Sequence, residues 1–316
     1  KRDNGLDYAP DQIVVSTGAK QSLANVVLSL VNPGDEVILP APFWVSYEEI
    51  VKVAGGVPVI IPTTIEEDYK INPEALEAAI NEKTRLVIYS SPCNPSGSVY
   101  SQVETAAIAD VLRKHDHVFT ISDEIYELIN FTSRHASLAA EPGMIERVIT
   151  VNGVSKGFAM TGWRLGYIGA PKWIAAACTK IQGQFTSAPC SITQAAAAEA
   201  VDQDPSIANS MLDAFLRRRN AMHADLSKVP GIKLNLPMGA FYLFPDISNL
   251  FGLSYGGKTL KNSEDVAMFL IEEAHVATVS GAAFGTPECI RISYAAADDV
   301  LAEAVRRIDA AVRKLS

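Results

Sequence analysis

Between Ile13 and Leu165 the chain alternates between short β-rich runs and segments whose apolar residues recur at three- and four-residue spacing. The strand candidates are Ile13–Ser16, Glu36–Leu39, Val57–Ile61, Arg85–Ser90, Val118–Ser122 and Val148–Val151. The segments between them, such as Lys20–Val31, Trp44–Val53, Pro73–Ile80 and Val103–Lys114, have the period of amphipathic helices. This rhythm predicts an α/β fold with a mostly parallel sheet covered by helices on both faces. In such sheets ligands bind beyond the carboxyl ends of the strands, so chemistry is sought in the residues that follow each strand.

After about residue 205 the rhythm changes. A long helical pattern from Pro205 to Leu226, containing Arg217, Arg218 and Arg219, reads as a connector. Beyond it come strand candidates Phe241–Phe244, Val276–Val279 and Ile290–Tyr294 and a closing amphipathic helix, Asp298–Lys314. A chain of 316 residues has room for two domains. The expected division is a large domain over 1–215 and a smaller α+β domain over 216–316.

With 27 basic and 36 acidic residues the chain carries a formal charge of −9, the wrong sign for binding a phosphate backbone or an anionic membrane. No apolar run is long enough to span a bilayer, and the first residues, Lys1 to Gly5, lack the apolar segment of a signal peptide. Cys93, Cys178, Cys190 and Cys289 lack the two-residue spacing of a zinc or redox pair. Reduced thiols and a cytoplasmic location are expected, with a plastid location behind a removed transit peptide as the alternative. The first residue is Lys, so the sequence is expected to be a piece of a longer chain.

The residues after the strands form an unusual set. Thr17-Gly18-Ala19-Lys20 opens a helix where backbone N–H groups and the helix dipole suit an anion. The next strand ends in Pro40-Ala41-Pro42-Phe43-Trp44-Val45-Ser46-Tyr47, placing a Trp at the ligand edge. In Ser90-Ser91-Pro92-Cys93-Asn94-Pro95-Ser96-Gly97 two prolines fix the backbone around Asn94. Asp123-Glu124-Ile125-Tyr126 follows another strand; its acids could serve a metal, a helix cap or a heterocyclic nitrogen, and the residues alone do not choose. The stretch from Val151 to Tyr167 places Ser155-Lys156 and Arg164 among small and apolar residues, a setting in which a lysine amine loses its proton and can form a Schiff base.

Together, Ser155-Lys156 with Arg164, Asp123 with Tyr126, the Asn94-Pro95-x-Gly97 turn and Arg291 in an alternating strand resemble the class I/II aminotransferases. These are pyridoxal-phosphate enzymes of fold type I, with a large seven-stranded-type sheet domain and a smaller α+β domain. The resemblance runs from Asp11 to the C-terminus. It implies that Lys156 bonds the cofactor and shuttles protons, that Asp123 pairs with the ring nitrogen, and that Tyr126 and Asn94 bond the phenolic oxygen. It also implies that Trp44 stacks on the ring, that Gly18, Ala19, Lys20, Ser155 and Arg164 hold the phosphate, and that Arg291 takes the substrate's α-carboxylate bidentately. Gly18-Ala19-Lys20-Gln21, Trp44-Val45-Ser46-Tyr47 and Ala159–Arg164 resemble the branch of bacterial and plant aspartate and aspartate/prephenate aminotransferases. Lys20 would then reach a second carboxylate, favouring aspartate or glutamate as donor and a 2-oxo acid as acceptor. The same resemblance implies a homodimer and an upstream segment that supplies part of the small domain and an intersubunit Tyr.

Three other readings compete with this one. Gly252–Thr259 matches the letters of a phosphate-binding loop, but no strand precedes it and no helix follows directly, so it reads as a surface insertion. A cofactor-binding regulatory module would need a basic DNA-binding element, and none is visible. A lyase or decarboxylase would use the same cofactor for another outcome. The histidines suggest no site: His115 and His117 sit between a helix and a strand with Asp116 as their one acidic neighbour in sequence, and His135, His223 and His275 stand isolated.

Overall fold

The computed structural model describes residues 1–132 and 134–316. Its main sheet has seven strands: β1 (Ile13–Ser16), β2 (Glu36–Pro40), β3 (Val57–Ile61), β4 (Thr84–Ser90), β5 (Phe119–Asp123), β6 (Val148–Gly153) and β7 (Gly166–Gly169). Their spatial order is β1-β7-β6-β5-β4-β2-β3. Strands β3, β2, β4, β5 and β6 pair in parallel, whereas β7 runs antiparallel to both β6 and β1.

Both faces of this sheet are buried, and alternate residues divide between two cores. Val37, Leu39, Leu86 and Ile88 pack on one side with Leu23, Val26 and Val27 of α1 (Ala19–Leu30), Tyr47 and Val51 of α2 (Ser46–Val53), and Ile174 and Cys178 of α5 (Lys172–Phe185). Ile38, Val87 and Tyr89 face the other side, against Leu76 of α3 (Pro73–Ala79) and Ile108 and Leu112 of α4 (Gln102–Leu112). Helix α4 starts with a capping box in which the Ser101 hydroxyl accepts from the Glu104 amide and the Glu104 carboxylate accepts from the Ser101 amide.

A further core joins α7 (Asn209–Leu226), α8 (Ser263–Phe269) and α9 (Asp298–Val312) to a small sheet of order β11-β12-β8, with β8 at Tyr242–Leu243, β11 at Val279–Ser280 and β12 at Ile290–Ser293. Helix α6 (Ser191–Asp202) carries the alanine run. Gly252–Thr259 contains a short hairpin, β9 (Ser254–Tyr255) with β10 (Lys258–Thr259), and lacks the strand–loop–helix setting of a phosphate loop. The strand expected at Val276–Val279 begins only at Val279. His275 takes a left-handed φ of 55° and the Val276 amide bonds back to Leu270 O, which uses those residues to end the preceding helical turns.

Candidate active site

The carboxyl ends of β1, β2, β4, β5 and β6 converge on one cavity of about 360 Å³. Ala19, Lys20, Trp44, Asn94, Asp123, Tyr126, Ser155, Lys156, Arg164 and Arg291 all line it. Gly18 does not; it lies buried beneath Arg164 as the residue before α1. Five further residues, Tyr47, Ser90, Ile125, Thr161 and Tyr242, line the cavity with no role that the sequence pattern reveals.

One part of this site is built of backbone. Gly18 has φ of 87°, and a Cβ there would collide with Nη2 of Arg164. A Cβ on Gly166 would strike the Ala19 backbone, and one on Gly153 would come within 2.8 Å of the Gly166 Cα. Helix α1, β6 and β7 therefore meet with no side chain between them. Arg164, itself left-handed with φ of 53°, donates from Nη1 to Thr161 O at 2.9 Å. Its guanidinium thus lies beside the first N–H groups of α1, a combination suited to a phosphate.

Asp123 is 4% exposed. It accepts from the Tyr47 hydroxyl at 2.6 Å and from the Ile125 amide at 3.2 Å. Burial nevertheless pushes its carboxyl up to about 6, with Tyr47, the Ile125 amide and Lys156 opposing and the charge of Glu124 reinforcing. Tyr47 is held well above the ordinary phenol range by burial and then by Asp123, so its hydroxyl stays a donor. Trp44 stands edge-on to Tyr47, ring centroids 5.7 Å apart, with the Lys20 ammonium 4.8 Å from the Trp44 ring centroid.

The Lys156 amine lies 5.8 Å from the Tyr126 ring and 5.5 Å from the Phe241 ring. Its pKa is lowered, first by burial and then by the positive charges of Arg164 and Arg291, against the pull of Asp123. A lysine in that environment gives up its proton more readily than a solvated one, as a nucleophile or proton carrier requires.

Arg291 makes no ion pair with an acid among the described residues. Its guanidinium lies between the rings of Tyr242, at 4.7 Å, and Phe284, at 4.9 Å, and Nη1 donates to Asn94 Oδ1 at 2.9 Å. An arginine can only donate, so Asn94 presents its carbonyl to Arg291 and keeps its NH2 as a donor. The Tyr126 hydroxyl shares a 2.8 Å hydrogen bond with that of Tyr242.

The histidines expected to stand without acidic partners do not all do so. His115 Nε2 is 2.9 Å from Glu77 Oε1 across α3 and α4, and His135 Nε2 is 2.9 Å from Glu124 Oε2 in the interior. The second Glu124 oxygen accepts from Ser122 and Ser137. These are contacts between residues distant in sequence, which spacing alone could not expose.

The profile of the family described as aminotransferase class I and II matches residues 1–308. The chain is 48% identical over 99% of its length to a bifunctional aspartate aminotransferase and glutamate/aspartate-prephenate aminotransferase of Petunia hybrida. It is 46% identical over its whole length to an aspartate/prephenate aminotransferase of Cereibacter sphaeroides, covering 80% of that protein. The crystal structure of the aspartate aminotransferase from Rhizobium meliloti superposes with a TM-score of 0.96 at 42% identity, covering all of this chain and 80% of that one. The chain spans 66% of the Petunia protein and 64% of an aspartate aminotransferase of Pinus pinaster.

Proposed function

The chain belongs to the class I and II aminotransferases, and from that footing we propose that it moves an amino group between a dicarboxylic L-amino acid, aspartate or glutamate, and a 2-oxo acid. 2-Oxoglutarate and oxaloacetate are the proposed acceptors, with prephenate as a further one.

The residues fit pyridoxal 5'-phosphate. The start of α1, which Gly18 and Gly166 let pack closely against β7 and Arg164, suits its phosphate, with Arg164, Ser155 and the Ala19 and Lys20 amides as donors. Asp123 would meet the ring nitrogen, Tyr126 and the Asn94 NH2 the phenolic oxygen, and Trp44 a ring face. When bound, this group supplies the electron sink that makes an amino acid's α-proton removable.

The protein's own groups do the rest. Arg291 binds the α-carboxylate with two parallel N–H donors and so orients the substrate. The Lys156 amine, uncharged more readily than an ordinary lysine, takes the α-proton at Nζ and returns it. Lys20, over Trp44, meets the second carboxylate. The observation that carries this reading is that Arg291, paired with no acid among the described residues, shares a cavity with Lys156.

The test is spectroscopic. With pyridoxal phosphate added, borohydride should fix the pyridoxyl group on Lys156. Aspartate alone should convert the visible band to that of the amine form of the cofactor, and 2-oxoglutarate should restore it. Label on another lysine, or steady release of ammonia or carbon dioxide, would overturn the reading in favour of no site here or of a lyase or decarboxylase.

We place the boundary between a large part, 1–215, and a small part, 216–316, within α7, on the strength of the separate sheet that β8, β11 and β12 form. A homodimer is supported by large apolar residues left on the surface: Trp163 46%, Phe185 75% and Ile192 72% exposed. Among the described residues no helix is long and apolar enough to cross a membrane, and all four cysteines are free. The free thiols support a cytoplasmic setting.

A further inference from the structure

Tyr242 stands where the two halves of the site meet. It is 6% exposed and lies in β8, whose partner β12 carries Arg291. Its ring forms one side of the aromatic slot around the Arg291 guanidinium, at 4.7 Å. Its hydroxyl, at the other end of the same rigid side chain, is 2.8 Å from that of Tyr126, which follows β5 of the large sheet. Among the described residues that hydroxyl has no other hydrogen-bond partner.

We propose that Tyr242 is a positioning residue that ties the carboxylate-binding Arg291 to the ring-oxygen-binding Tyr126. The inference rests on the proposed function and deepens it. A guanidinium over a phenol ring stabilises negative charge on the phenol oxygen, which makes that hydroxyl the better donor of a pair. The charge of Arg291 does offset part of the effect of burial on Tyr242. Tyr242 therefore donates, Tyr126 accepts, and the Tyr126 proton is left to point at an anionic acceptor in the cavity. The ring, meanwhile, holds the guanidinium where a carboxylate can meet both of its N–H donors.

The two functions separate by substitution. Tyr242→Phe keeps the ring and loses the hydroxyl; Tyr242→Leu loses both. Each is loaded with pyridoxal phosphate, the visible band is titrated with pH, and the Kd of maleate, a dicarboxylate with no amino group to react, is measured. In Tyr242→Phe the midpoint of the band should rise by about half a unit or more, because the phenolic anion loses support, while maleate binds within about twofold of wild type. In Tyr242→Leu the same rise should come with maleate weakened about tenfold or more. An unchanged midpoint in Tyr242→Phe, or unchanged maleate affinity in Tyr242→Leu, overturns the proposal. If the Leu variant does not fold, the Phe variant decides the hydroxyl's role alone. A wild-type protein with no visible band would instead overturn the function on which the inference stands.

Discussion

Tyr47 donates a 2.6 Å hydrogen bond to Asp123 from the opposite wall of the site, joining the start of α2 to the end of β5. Tyr47 is 1% exposed, so no water replaces that donor when it is removed. A hydrogen bond to a buried charge is worth about 1.5–3 kcal/mol, roughly ten- to a hundredfold. Tyr47→Phe should weaken pyridoxal-phosphate binding by that factor in equilibrium dialysis. An unchanged Kd would mean that the Ile125 amide alone holds Asp123 in place.

Asp123 itself costs the cofactor-free protein stability. Its folded pKa of about 6 exceeds the ordinary 3.8, so the cost is absent below about pH 3.8, grows as pH rises, and is complete above about 6. A gap of that size is on the order of 2–3 kcal/mol. Asp123→Asn should therefore raise the Tm of the cofactor-free protein at pH 8, with the gain fading toward pH 4, while abolishing turnover. A Tm that falls at pH 8 would contradict this account.

Gly166→Ala puts a methyl against the Ala19 backbone, and Gly18→Ala puts one against the Arg164 guanidinium and forces an L-residue to φ of 87°. Both should fold with at most a few kcal/mol lost, yet bind pyridoxal phosphate at least tenfold more weakly, as read by dialysis. Gly162→Ala, where a Cβ meets nothing within 4 Å, serves as the control and should bind normally.

Lys20 is exposed and lies over Trp44. Lys20→Ala should lower kcat/KM for aspartate and glutamate about ten- to a hundredfold and leave alanine and phenylalanine much less affected. Equal losses across a substrate panel would assign Lys20 to the cofactor or the fold and end its role in choosing dicarboxylates.

The sequence exposed those parts of the site that lie next to a strand along the chain. Asn94 after β4, Asp123 at the end of β5 and Lys156 after β6 stand out because a β-rich run delivers each of them to the same sheet edge. Tyr47 was visible three residues after Trp44 but carried no mark of its task, since its partner is 76 residues away. Tyr242 lies within the expected strand Phe241–Phe244, but its task is not legible there, because its partners Tyr126 and Arg291 are far away along the chain. Strand β7 and helix α5 are likewise not legible from the sequence pattern. Gly166-Tyr167-Ile168-Gly169 is bounded by glycines because Ala19 packs on one and the Tyr8 ring on the other.

The meeting of α1, β6 and β7 through Gly18, Gly153 and Gly166 has a bearing on how such a protein changes over generations. At that end a substitution must displace main chain, at Gly153 and Gly166, or the Arg164 guanidinium, at Gly18, so almost every alternative weakens the site. Lys20 and Trp44 occupy a part-exposed rim made of side chains, where replacements can be sampled one at a time. A lineage built this way can drift in what it accepts while its grip on the phosphate stays frozen.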